Sequence, residues 1–117
     1  MHNYKELNVW KESKDFSIYI YKLTKSFPKT EIYGITSQIN RSAVSIPSNV
    51  AEGAGRNSNK DFLRFIHIAI GSSFELETQL IIAHEIGFIN KEIFNDLIDK
   101  LELIQKRLVS FSRFLNS

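Results

Sequence analysis

The sequence predicts an all-α chain that folds as a single antiparallel four-helix bundle with up-down-up-down connections. Three observations lead to this fold class. Apolar residues recur at alternating spacings of three and four in four successive stretches, as on a helix with one buried face. No stretch sustains the period-two alternation of a half-buried strand, and the connections are short enough to make consecutive helices antiparallel. The length of 117 residues fits one domain, 1–117.

The first helix is predicted over residues 6–26, before Pro28. It aligns the following residues on one stripe: Val9, Ser13, Phe16, Ile20, Leu23 and Phe27. YIY at residues 19–21 has strand propensity, but the surrounding three-four pattern overrides it.

The second helix is predicted over residues 31–54, and Pro47 lies inside it. Proline lacks a backbone donor and crowds the carbonyl four residues earlier, so a kink is expected there. The hydroxyls of Ser45 and Ser48 are the candidates to satisfy the freed groups. Gly53 and Gly55 are expected to end the helix, with glycine in the left-handed cap conformation.

The third and fourth helices are predicted over 59–87 and 91–115. Ser58 opens the third as part of a capping box, and Gly87 and Asn90 mark its end. The fourth has the most regular stripe, which runs through Phe94, Leu97, Leu101, Ile104, Leu108, Phe111 and Leu115.

Composition and motifs argue against several function classes. There is no cysteine, hence no disulfide, and neither a secretory leader nor a membrane span is recognisable, so a cytoplasmic protein without a membrane partner is expected. The four helices also lack the Glu-x-x-His pairs of di-metal bundles, and no nucleophile elbow or P-loop occurs. We therefore predict a protein that is not an enzyme, with no catalytic residue, metal, cofactor or small-molecule substrate.

The net charge is only +2, but it is unevenly distributed. Residues 1–30 carry six lysines against three acids, and residues 61–90 carry one arginine against four acids. This asymmetry permits a weak surface for nucleic acid or for an acidic partner.

A polar stripe follows the second helix, and it has two interpretations. It contains Gln38, Arg41, Ser45, Ser48, Asn49, Glu52 and Arg56. Either it is a solvated helix face, or Arg41 and Arg56, with Asn49 between them, contact another subunit or a phosphate backbone. Arginine suits both uses because its planar fork binds carboxylate and phosphate bidentately.

Some apolar residues lie beside the main stripes of the first and third helices. They are Trp10, Ile18, Tyr21, Leu63, Ile70 and Phe74. They indicate either a wide buried face within the bundle or an interface between subunits, where aromatic residues concentrate.

One long segment carries a family resemblance. RSAVSIPSNVAEGAGRNSNKDFLRFIHIAIGSSFELETQL, residues 41–80, resembles the centre of the small bacterial four-helix bundle family associated with intervening sequences of 23S ribosomal RNA genes. LNVWKES and SFPKTEIYGITSQI resemble it too, so the similarity covers nearly the whole chain. The resemblance implies a homo-oligomer, a ring-like pentamer. It also implies a fold similar to the accessory protein of diversity-generating retroelements, a strongly basic pentamer that binds nucleic acid.

The family pattern also implies roles for individual residues. Pro47, Gly53 and Ser58 would shape the backbone. Packing would fall to Phe62, Ala69 and Leu76. A polar network uniting the second and third helices would consist of Arg41, Asn49, Glu52, Arg56 and Glu75.

Two functional hypotheses follow. The first is a non-enzymatic oligomer that binds RNA or DNA, with phosphate contacts from the Lys-rich first helix and from Arg41 and Arg56. The alternative is a scaffold or adaptor whose assembled ring recognises a protein partner.

Overall fold

Four helices make up the fold in the computed structural model, which describes residues 2–117. They are α1 (Asn8–Thr24), α2 (Ile35–Ala54), α3 (Asn59–Glu85) and α4 (Lys91–Leu115). No strand occurs among the described residues. The predicted all-α four-helix bundle is confirmed.

The helices pack in a ring of four neighbours. α1 lies between α2 and α4, and α3 lies against the same two helices from the other side. Because consecutive helices are neighbours joined by short connections, the bundle is antiparallel with up-down-up-down connections. Its extents of 43 × 24 × 20 Å match helices of 17 to 27 residues lying side by side.

All four helices contribute to one core. Its fully buried large side chains come mainly from the predicted stripes: Ile20, Ile39, Ile46, Val50, Phe62, Ile66, Leu76, Leu80, Leu97, Leu101 and Leu108. An ion pair adds to the packing between α1 and α4: Arg107 Nε lies 2.6 Å from Glu12 Oε1.

The first two helices begin later than the sequence pattern indicates. Before α1, Asn3 caps a short 3-10 turn, Tyr4–Glu6, and Leu7 is extended. Before α2, a second 3-10 turn, Lys29–Glu31, is followed by a turn in which the Gly34 N–H bonds to the Glu31 carbonyl at 2.9 Å. The three-four spacing of apolar residues continues through these turns. The backbone hydrogen bonds of the turns, however, are not those of a continuous α-helix.

The left-handed glycine cap occurs at the end of α3 and not at the end of α2. Gly87 has a φ of +90°, and it is the only described residue with positive φ. Phe88 N–H bonds to Ala83 O, and Gly87 N–H bonds to His84 O, which together form a Schellman motif. The expectation of such a cap at Gly53 and Gly55 is wrong, because Gly53 lies inside α2 and Gly55 has a right-handed φ of −83°.

Pro47 is accommodated by a hydroxyl from another helix. α2 continues through Pro47, which leaves the carbonyl of Ala43 without its usual backbone donor. Ser17 of α1 donates to that carbonyl at 2.9 Å, in the buried interior. The expected roles of Ser45 and Ser48 are therefore wrong: Ser45 bonds toward α3, and Ser48 is exposed.

The apolar residues beside the main stripes divide into two groups. Trp10, Leu63 and Ile70 are partly buried against the core, which makes the buried faces of α1 and α3 wide. Ile18, Tyr21 and Phe74 remain about half exposed, at 48, 48 and 53%. The wide-face interpretation therefore holds for Trp10, Leu63 and Ile70, and the interface interpretation stays a prediction for Ile18, Tyr21 and Phe74.

Candidate functional site

The polar residues of α2 and α3 meet along what we call the α2–α3 seam, formed by Ser42, Ser45, Asn49, Ser72 and Glu75. Ser42, which is 2% exposed, donates to Glu75 Oε1 at 2.6 Å. One turn further along α2, the hydroxyls of Ser45 and Ser72 are 2.9 Å apart. Asn49 Nδ2 donates to the Ser45 carbonyl at 2.8 Å and lies 3.0 Å from its hydroxyl.

Close packing continues the seam toward the α2–α3 connection. A Cβ built on Gly53 would lie 2.7 Å from Phe62 Cδ1 and 2.8 Å from Phe65 Cβ. Real Cβ contacts are not this short, so only glycine lets α3 approach α2 here. Phe62, together with Ala69 and Leu76 further along α3, is buried.

Ser58 begins α3 at this end of the seam. Its side chain accepts a hydrogen bond from the Asp61 N–H at 3.1 Å. Ser58 therefore acts as an N-cap, in line with the role that the family pattern implies for it.

The two arginines of the second helix have different surroundings. Arg56 pairs with Glu52 at 3.2 Å and places its guanidinium 4.7 Å from the ring centre of Phe65. Arg41 is exposed, and it makes no side-chain hydrogen bond or ion pair among residues 2–117. Glu52 and Arg56 thus bind each other, and Arg56 also packs on Phe65 of α3, whereas Arg41 is exposed on α2.

A second feature is a groove between α1 and α2, on the other side of α2 from the seam. This α1–α2 groove has two adjoining stretches that share Tyr21 and Lys25. It is lined chiefly by Lys14, Ile18, Tyr21, Lys22, Lys25, Pro28, Lys29, Ile32, Val44 and Pro47. The α1 portion from Lys14 to Lys25 spans roughly 17 Å at the helical rise per residue.

All of the charged side chains that line the α1–α2 groove are positive. Four lysines line it, and within the described part of the chain no aspartate or glutamate does. Lys14 is paired with Asp15 at 2.7 Å, whereas Lys22, Lys25 and Lys29 join none of the ion pairs formed among residues 2–117. Their charges are therefore available to an anionic partner.

A third feature is the α3 outer face, defined as Ile68, Gly71, Phe74, Ile81, Ile82 and Ile86. Its five large side chains are between 37 and 55% exposed. The face opposes the buried side of α3 and extends for roughly 27 Å along the helix. Nothing lies within 4 Å of a Cβ built on Gly71, so the centre of the face is open.

Residues 2–117 contain no cluster of metal-ligating side chains and no helix suited to span a membrane. Nowhere in this range do three histidine or carboxylate side chains converge in the manner of a metal site. Likewise, no helix in this range is both long enough and apolar enough to cross a membrane.

The sequence pattern placed most of the predicted contact residues in or beside the seam, and few of them in the groove. Arg41, Asn49, Glu52, Arg56 and Glu75 were expected to form one network, but the structure divides them into Asn49 and Glu75 in the seam, the Glu52–Arg56 pair, and solitary Arg41. The groove contribution of Val44 and Pro47 was missed. The sequence does place Ile18 and Tyr21 off the main stripe of the first helix and among lysines. Only the packing of α1 against α2 shows that these residues line a groove.

Comparisons with known proteins agree with the fold. A solved structure from Bacteroides thetaiotaomicron, described as a protein of unknown function from the S23 ribosomal protein family, aligns with a TM-score of 0.84 at 26% identity. The alignment covers 90% of this chain and 95% of that one. No curated protein matches the chain. The family described as 23S rRNA-intervening sequence protein matches residues 5–110, which include α1, α2, α3 and most of α4. With a match of this extent, the chain belongs to the 23S rRNA-intervening sequence protein family.

Proposed function

We propose that this protein is a non-enzymatic, self-assembling helical bundle that binds nucleic acid along the α1–α2 groove. The observation that carries the proposal is the groove lining, which holds four lysines and a half-exposed tyrosine and, among the described residues, no carboxylate. RNA is the first ligand to test, since the family description refers to 23S rRNA. A cytoplasmic location is part of this proposal.

Counterion release supplies the physical basis for binding. Each lysine that neutralises a phosphate releases condensed counterions, and this entropy gain needs no base recognition. Lys22, Lys25 and Lys29 contribute most, because none of them must first leave an ion pair within the described chain. Arg41 extends the basic surface from the outward side of α2. Arg56 is held by Glu52 and Phe65, so we assign it to packing.

The non-enzymatic part of the proposal rests on the α2–α3 seam, where polar side chains of two helices bond to one another. Ser42 is bonded to Glu75, and Ser45 to Ser72 and Asn49. Groups that satisfy one another between two helices stabilise their packing, whereas a catalytic group must be directed toward a substrate.

Self-assembly is supported by the α3 outer face. Its five large apolar side chains are exposed along one side of α3, and clusters of exposed apolar residues mark surfaces that another protein covers. We assign a second copy of this chain to the face, and the family resemblance implies that five copies close a ring. Measurement of mass in solution tests this: a multiple of 13.5 kDa is expected, and a monomer at all concentrations would refute it.

Filter binding tests the proposed ligand. A radiolabelled RNA of mixed sequence is titrated with the protein at low salt, where electrostatic binding is strongest. Retained RNA that is lost as salt rises is the expected result. An absence of retention at the lowest salt would refute nucleic-acid binding.

A further inference from the structure

We infer that the ligand of the α1–α2 groove is single-stranded nucleic acid, with one unpaired base stacked on the ring of Tyr21. This inference rests on the proposed function and specifies its ligand class.

Tyr21 is the residue common to both stretches of the groove, together with Lys25. Its side chain is 48% exposed, so part of the ring is covered and part is free. Partial burial restricts the ring without removing it from solvent, and a restricted aromatic ring loses little entropy when a base stacks on it. Bases of any identity stack on aromatic rings, which makes such binding tolerant of sequence.

The floor beside Tyr21 is apolar. Ile18 is 48% and Val44 41% exposed, and Pro47 completes this stretch. These side chains make no hydrogen bonds to phosphate or to water, but they can pack against the face of an unstacked base. In a duplex the bases are stacked on one another and unavailable, so a duplex would use the lysines and leave the apolar floor uncovered.

The lysines are placed to follow a backbone past that floor. Lys14 and Lys22 lie in the stretch with Ile18, Lys29 lies in the other, and Lys25 lines both. A strand along the groove would therefore meet positive charge on both sides of Tyr21.

The charges favour a polyanion over a second copy of this chain as the occupant. The α3 outer face, the other large exposed apolar surface described above, offers Glu75 and Glu85 as neighbouring acids, and Glu75 is already bonded to Ser42. Two carboxylates would neutralise at most two of the three groove lysines that join no ion pair among residues 2–117, which are Lys22, Lys25 and Lys29. A strand with one phosphate per nucleotide can neutralise all three.

Fluorescence anisotropy tests the inference with full-length protein. The probes are a labelled single-stranded RNA of about 12 nucleotides, the DNA of the same sequence, and the RNA duplex, each titrated at one fixed low salt. We expect both single strands to bind more tightly than the duplex. Tyr21→Ala is expected to weaken single-strand binding by about 5- to 150-fold, with little effect on the duplex. Tyr21→Phe keeps the ring and is expected to bind like the wild type.

The outcomes separate this inference from the proposed function. If wild-type protein binds none of the probes, both fail. If it binds, but the duplex binds equally well or Tyr21→Ala binds like the wild type, the single-strand inference fails and the proposed function stands. The solution mass of Tyr21→Ala completes the test: a smaller assembly would show that the groove is a subunit contact, and would overturn the inference. Circular dichroism confirms that each variant is folded.

Discussion

A single hydroxyl compensates for the proline inside α2. Pro47 leaves the Ala43 carbonyl without a backbone donor, and Ser17 supplies one from α1 at 2.9 Å. The same hydroxyl lies 2.8 Å from the carbonyl of Ser13, so its one proton is shared between two acceptors. Ser17 is 6% exposed, which means that water cannot easily replace it. The packing of α1 on α2 is thereby coupled to the backbone of α2.

Replacement of Ser17 by alanine tests this coupling. Ser17→Ala leaves a buried carbonyl unsatisfied, and we expect a loss of about 1–3 kcal/mol in the free energy of unfolding, measured by urea denaturation. Ser48→Ala is the matched control on exposed α2 surface, with an expected change within about 0.5 kcal/mol. Pro47→Ala restores the missing N–H, so Ser17→Ala should cost less in that background. Equal costs in both backgrounds would show that Ser17 does not serve the Ala43 carbonyl.

At the scale of the helix, the α2–α3 pair shows what periodicity can and cannot predict. The three-four spacing identified all four helices, and it identified α3 and α4 nearly to their ends. It could not assign Gly53, because a buried glycine and a capping glycine look alike until the neighbouring helix is in place. The observed contact is lateral: Phe62 and Phe65 of α3 occupy the space that a Cβ would need.

The same limit applies to the polar stripe of α2. Its spacing predicted a shared face, but the partners Ser72 and Glu75 lie about 30 residues away in sequence. Likewise, the lysines of α1 were visible in the sequence, whereas the groove they line depends on the packing of Val44 and Pro47 against α1.

A pair of glycine substitutions tests the lateral contact. Gly53→Ala gains about 1 kcal/mol of helix propensity but overpacks Phe62 and Phe65, so we expect a net destabilisation of about 1–2 kcal/mol by denaturant unfolding. Gly55→Ala is the control two residues later, where a Cβ meets only Glu52 O at an ordinary 3.5 Å. Because its φ is right-handed, this change should be neutral or stabilising by up to about 1 kcal/mol. If Gly55→Ala were the more damaging of the two, the glycines would act as caps after all.

The whole molecule presents two different exposed surfaces on one bundle. The α1–α2 groove is basic with an apolar floor beside Tyr21, and the α3 outer face carries exposed apolar side chains and is open at Gly71. A core that spans all four helices supports both surfaces, so neither needs the bundle to rearrange. We assign the groove to nucleic acid and the outer face to a second copy, and separate substitutions should affect them separately.

A charge at the centre of the α3 outer face tests the assembly assignment. Gly71→Arg has room in the single chain and favours the helix, so the bundle should remain folded. We expect sedimentation to show a shift of the assembly toward 13.5 kDa, since the added charge would be buried between copies. Asn95→Arg adds the same charge on the exposed side of α4 and should leave the mass unchanged. Equal masses for wild type and Gly71→Arg would place the subunit contact elsewhere.

Nucleic-acid binding by the α1–α2 groove is tested most directly by the salt dependence of the affinity for single-stranded RNA. Each phosphate contact contributes about 0.7 to the slope of log affinity against log salt. Lys22→Gln combined with Lys25→Gln should therefore make the slope shallower by about 1.4. Lys60→Gln combined with Lys91→Gln removes the same charge outside the groove and should preserve the wild-type slope. If the two double variants gave the same slope, the α1–α2 groove would not be where this protein binds nucleic acid.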